Sequence, residues 1–406
     1  MASFQYTPEV ETVSKGHPAT KQTMKEKPRC IDLKAKIVLT KEGASFFKTR
    51  ATGLHSFETP DGDTRYGFKL KSVDIPWLKR LLLAGFVDKA EFPVMDLSSM
   101  KNEIGDLARL VIFSMLYGYF NSTIIDRAVR TEVIAKWNRS HPHQALDAQN
   151  AVSPVELKNA LKSRAEAIEA LKKEIATPII RSVLIDQRRT DDERKRLVYF
   201  VKELLETVDP LIYFVLLCST PLERKKIEQD IIKTIHTVLD RVDLADYLSL
   251  MVLELMGAAE RSTLIELLGP ETKPSEVRSI LENPDKRREL ILKLPHGLAS
   301  IMVWSISKRW AMGRWRYRLK LSLYDGSSSF EDTKRMFDER GRLSLGEKSL
   351  QELYEQGTGP YGDDGLGWYY LSFIAEACEH MGVHFEAAVK ERQGKGTAAV
   401  NLVLVI

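Results

Sequence analysis

At 406 residues and 44% apolar side chains, the chain has room for two or three domains with filled cores. Its 60 basic and 56 acidic residues leave a formal charge of only +4, a balance that by itself predicts neither nucleic-acid nor anionic-membrane binding. Cys30, Cys218 and Cys378 are widely separated, lack metal-ligand spacing and suit free thiols in a reducing cytoplasm.

Residues 1–29 are polar, carry no apolar signal segment and have the composition of a disordered tail. A small mixed module is expected over 30–95, where "PDGD" marks a turn between strand-like runs and "IPWLKRLLLAG" predicts a helix ending near Gly85. That module reads as a small α/β layer packed on helices, with a winged-helix-like or partner-binding unit as the alternative. From 100 to 240 the pattern is that of a helical bundle: long amphipathic stretches, short breaks such as "HPHQALDAQNAVSP", and charged outer faces. Ser153 with Glu156 has capping-box spacing, and the acidic start of "DDERKRLVYF" suits a helix N-terminus. The longest apolar run, "LIYFVLLC" at 211–218, falls far short of the roughly 20 residues that span a bilayer and reads as a buried helix. No membrane partner is expected.

Beyond Gly269 the composition changes. Charged short-helix segments lead into two strands around a turn at Gly313. In the second strand Tyr317, Leu319, Leu321 and Leu323 alternate with Arg316, Arg318, Lys320 and Ser322. "SLGEKSLQELYEQG" reads as a short helix, "GLGWYYLSFIAEACEHMG" as a longer one, and "VHFEAAVKER" and "TAAVNLVLVI" as closing strands. A mixed sheet with helices on one side is the expected result, an α+β sandwich over 241–406.

This order of elements carries "ELMGA" at 254–258 on a helix, "YDGSSS" at 324–329 at a strand end, "DDGLG" at 363–367 opening a helix and "GKGT" at 394–397 entering the last strand. Over residues 245–406 it resembles the ATPase superfamily shared by DNA gyrase, chaperones and sensor histidine kinases. The resemblance implies ATP or ADP as ligand. It assigns the adenine-accepting carboxylate to Asp325, close backbone approach to Gly326, phosphate-facing amides to Gly365 and Gly367, and the late Gly-Thr element to Gly396 and Thr397. It places Glu254 where family members orient the attacking water. The chemistry is coherent, because glycine lets a base approach the backbone and a helix N-terminus favours phosphate oxygens.

The sequence departs from that pattern at the magnesium ligand. The family's Asn falls at position 258, which is Ala258 here, and neither Gly257 nor Ala259 can offer oxygen to a hard cation. Catalysis is therefore expected to be weak or absent. A kinase would also need a phosphoacceptor histidine; His236 in "IIKTIHTVLD" is the bundle's candidate, but no acidic residue follows it directly and it stands close to Glu254.

"KRWAMGRWRYRLK" at 308–320 interleaves basic and aromatic residues in a way that could track a nucleic-acid backbone, but reads more simply as the wet side of a hairpin. The expected protein is a regulatory or scaffolding one of bacterial type with a degenerate nucleotide site, a protein partner and a plausible homodimer, and no nucleic-acid partner. The alternatives are a non-catalytic helical interaction protein that uses no nucleotide, and an active ATPase or kinase with altered metal ligation.

Overall fold

The computed structural model describes residues 30–406 apart from 32–33, 50–52, 59–62, 94–96, 148–158, 160, 270, 294–299, 312–313, 342–365 and 393–395. The expected tail at 1–29, the Ser153–Glu156 cap and the short helix at 344–357 lie outside these residues.

The chain begins with β1 (Cys30–Ile31), β2 (Ala35–Leu39), α1 (Lys41–Lys48), β3 (His55–Glu58), β4 (Thr64–Leu70), β5 (Val73–Asp74), α2 (Ile75–Leu83) and β6 (Val87–Pro93). A helical excursion comes next: α3 (Leu97–Ala128), α4 (Glu132–Ser140), α5 (Ala165–Ile185), α6 (Asp191–Glu206), α7 (Pro210–Cys218), α8 (Pro221–Leu239), α9 (Asp243–Leu268), α10 (Pro274–Glu282) and α11 (Pro284–Leu292). The C-terminal part supplies β7 (Ile301–Ala311), β8 (Arg314–Ser329), α12 (Phe330–Arg340), α13 (Leu366–His380), β9 (His384–Glu391) and β10 (Thr397–Val405). Helix starts obey local chemistry. Thr190 and Glu193 form a reciprocal capping box before α6, and Asp209 caps α7 with Pro210 in its first turn. The apolar run at 211–218 is α7, with Leu211, Ile212, Val215 and Leu216 in the core.

Eight strands form one sheet in the order β3-β4-β2-β6-β7-β8-β10-β9, while β1 and β5 pair separately. The strands on either side of the helical excursion therefore share a sheet, through the pairing of Lys89 with Ser305 to Pro93 with Ile301. The protein is α+β. The sheet expected to be mixed is antiparallel in every described pairing.

Register sorts the strands into two faces. Phe68, Ile37, Ala90, Trp304, Leu321 and Leu402 stand side by side in one row. Met302, Leu323 and Val400 form the next row and Ile306, Leu319 and Leu404 another. Helices α2, α3, α9 and α13 bury this face, and Phe92 meets Trp304 at a ring separation of 5.0 Å. Among the described residues no helix is long and apolar enough to cross a membrane.

Two contacts lock helices to each other and to the sheet. Glu203 of α6 pairs with Lys79 of α2 and accepts hydrogen bonds from the hydroxyls of Tyr117 in α3 (3.3 Å) and Tyr199 (2.9 Å). Burial, reinforced by the Glu203 charge, pushes the Tyr117 phenol far above its ordinary range, so it stays a donor. Tyr317 of β8 lies against Gly118 of α3, where an added Cβ would come within 2.6 Å of the ring, and its hydroxyl is 2.7 Å from Ser122 Oγ.

Gly118→Ala should therefore displace the Tyr317 ring and destabilise the fold by about 1–3 kcal/mol, read as a lower denaturant midpoint; an unchanged midpoint would contradict this packing. The thiols give a second test. Burial pushes Cys378 up to about 12, whereas Cys218 is exposed. Alkylation of the folded chain near neutral pH should modify Cys218 and spare Cys378, with peptide mass mapping as the readout; equal labelling rates would be inconsistent with this core.

Candidate functional site

The C-terminal ladder determines which sequence-singled residues can meet. Strand β10 starts beside the end of β8, with Thr397 opposite Ser329, and beside the end of β9, with Ala398 opposite Glu391. Between β8 and β10 the register shifts from Tyr324–Ala399 to Ser329–Thr397, a bulge or irregularity at this end of the ladder. Asp325 and Gly326 thus fall in the irregular stretch of β8 at this end of the sheet. Gly396 adopts φ of +61°, natural for glycine, and its carbonyl accepts from the Phe330 amide at 3.1 Å. That bond ties the start of β10 to the start of α12.

Helix α13 opens at the same end. Its C-terminus turns directly into β9, closed by the Val383 amide on the Cys378 carbonyl at 2.8 Å, and α13 packs along β9. Running back antiparallel to β9, it brings Leu366 and Gly367 toward the β9–β10 turn. Gly365 lies outside the described residues. Helix α9 runs antiparallel to α13, because Arg241, just before it, donates to the Met381 carbonyl (3.3 Å) and Tyr247 meets Phe373 edge-on at 4.8 Å. From Tyr247 to Glu254 is about 10 Å of helix rise and from Phe373 back to Gly367 about 9 Å. Glu254 is therefore level with the opening of α13.

Glu254, Asp325, Gly326, Gly367, Gly396 and Thr397 accordingly share one end of the C-terminal layer. His236 does not join them. It is exposed in the last turn of α8, next to the α8–α9 turn that touches the opposite end of α13.

A polar atom at this end lacks a partner. Thr397 Oγ1 is buried with no hydrogen bond. Buried hydroxyls ordinarily find a partner, so an orphan marks a place where a ligand group or water would be welcome. The residues present fit a nucleotide in this respect. They do not fit the magnesium that accompanies it: Ala258, one turn beyond Glu254, offers no oxygen side chain. Among the described residues no three His, Cys, Asp or Glu side chains cluster as a metal site.

Sequence inspection missed a second feature. A hollow of about 360 Å³ opens between β2, α1 and β4, lined by Thr40, Lys41, Lys48, Asp63, Arg65 and Tyr66. Lys48 sits 4.0 Å from the Tyr66 ring centroid. The local signal was Thr40 ahead of "KEG", whose hydroxyl accepts from the Gly43 amide and starts α1.

Thr397→Val is nearly isosteric and removes the unpartnered hydroxyl. It should leave stability unchanged or raise it by up to about 1 kcal/mol in thermal unfolding. A clear loss of stability would mean that the hydroxyl is satisfied in the native protein.

Comparison with known proteins sets this arrangement in context. An uncharacterized protein of Treponema pallidum (strain Nichols) is 25% identical over 374 residues, covering 90% of this chain and 95% of that one. No solved structure matches the chain. The model of the family of unknown function DUF8084 matches residues 26–406, strands and helical excursion alike, and the chain belongs to that family.

Proposed function

We propose that the C-terminal α+β layer is a histidine-kinase-like nucleotide-binding unit that holds ATP or ADP without a working magnesium site. In this reading the chain is a regulatory or scaffolding protein of a reducing cytoplasm, acting on a protein partner through its helices. The supporting observation is the convergence at one end of the sheet of the irregular stretch of β8, the opening of α13 and the unpartnered Thr397 hydroxyl. Asp325 would accept from the base, Gly326 would let the ring approach, the amides that open α13 would face phosphate, and Thr397 would gain its missing partner.

Glu254 is level with that helix opening and would be placed to orient a water. With Ala258 one turn away, the phosphates lack the cation that makes such a water productive, and turnover is not expected. A nucleotide could then act as a structural ligand that stabilises one arrangement of the C-terminal layer and presents it to a partner.

Titration calorimetry and thermal unfolding with ADP and ATP, with and without magnesium, test this. Binding near 100 μM should raise stability by about 1.4 kcal/mol at 1 mM nucleotide, equally with and without magnesium. Thr397→Val and Asp325→Ala should abolish that rise, while Glu254→Gln should keep it. No stabilisation by any adenine nucleotide would leave an interaction protein without nucleotide use, and magnesium-dependent hydrolysis would point to metal ligation through other residues.

A further inference from the structure

The sheet face turned away from the helices carries a charge pattern that the near-neutral total conceals. By register it bears Lys69 on β4, Lys36 on β2, Lys89 on β6, Arg309 on β7, Arg316, Arg318 and Lys320 on β8, and Lys390 on β9. Lys320 is flanked by Ser305 and Val403, and Arg318 by Ser307 and Val405, so no carboxylate stands beside either on the ladder. Among the described residues no carboxylate lies within ion-pair distance of Lys69, Arg309, Arg318, Lys320 or Lys390.

The acidic residues on this face are already engaged. Glu91 is shared by Lys36 (3.4 Å) and Lys89 (2.7 Å), and Glu386 pairs with His384 (2.8 Å). Lys69, Arg309, Arg318, Lys320 and Lys390 therefore stand unneutralised by these acids, a pattern suited to an anionic partner.

We propose that this face binds the phosphate backbone of a single-stranded nucleic acid. From β4 to β9 there are six strand intervals, so the charge spans about 29 Å at 4.8 Å each. A flexible strand laid across the ladder can meet charges on β4, β2, β6, β7, β8 and β9 in turn. Aromatic rings occur on the same face. Phe57 of β3 lies under Lys36 (4.6 Å) and Lys69 (5.8 Å), and Tyr324 of β8 is half-buried beside Ile301 and Ala399. Basic side chains around aromatic faces are the combination that holds single strands without sequence selectivity. This inference rests on side chains that face away from the helices and requires no nucleotide at the strand ends.

Fluorescence anisotropy with the full chain, a labelled 20-nucleotide single strand, its blunt duplex and polyglutamate provides the test. Single-strand binding is expected, with log K falling against log salt at a slope of about −3.5 for five neutralised phosphates. Arg318→Glu with Lys320→Glu should weaken it about tenfold or more. Lys225→Glu with Lys226→Glu, an equal charge change on exposed α8 residues, should leave it intact. Absence of single-strand binding at low salt, equal loss in both double variants, or equally tight duplex or polyglutamate binding would overturn the proposal.

Discussion

The pairing of β6 with β7 is the constraint on which the architecture depends. It closes a connection of roughly 200 residues, and closing a flexible chain of that length costs about 5 kcal/mol before any contact offsets it. The offset comes from what the closure assembles. Ala90 and Trp304 meet at the centre of the apolar row, Phe92 packs on Trp304, and α2 and α3 cover them through Leu78, Leu82 and Val111. Neither half-sheet would cover its own apolar face without this junction. The helices emitted after β6 return to that same face before β7 begins, so the excursion supplies the layer that the sheet needs.

That closure imposes a strict division between faces. Residues that point toward the helices are apolar on every central strand, whereas those that point away mix serine, lysine, arginine and glutamate with Val38, Val303 and Val403. A one-residue slip in any central strand would exchange the two sets, so the register is strongly specified. The third environment is the end of the sheet, where the ladder between β8 and β10 shifts register and α13 opens. The strand ends suit a site better than the apolar face, which the helices cover.

Much of the local structure was legible. Alternation in "RWRYRLKLSLY" assigned the two faces of β8 correctly. The bracketed run at 211–218 proved to be a core helix, because Pro210 fixes its first turn and Pro221 opens the next helix. Strand β6 was harder, since "VDKAEF" comes after α2 and a short turn, and its alternation carries lysine and glutamate. The sheet-spanning junction was not legible at all. Pairing between residues 89 and 305 leaves no trace in either segment alone, because the partner's identity is a tertiary fact. The same holds for the outward charge ladder, whose lysines on β2, β4 and β6 are isolated in sequence and become neighbours only through register. At the candidate site, the relative order of the motifs was legible, but the unpartnered Thr397 hydroxyl was not, since satisfaction of a hydrogen bond depends on every surrounding atom.

Helix α9 shows how the C-terminal layer is fixed without any contribution from position 258. Its buried face, with Leu248, Val252, Leu255, Met256 and Ala259, packs against α3, β8 and α13. Ala259 is buried in that contact, whereas Gly257 and Ala258 are half-buried. An asparagine at 258 would contribute oxygen to a cation but little to this packing. The helix is held in place by its apolar stripe and by Arg109 and Arg196 on Asp246 near its start (2.7 and 3.2 Å), far from position 258. The packing of the layer on α9 therefore depends on residues other than the one at 258.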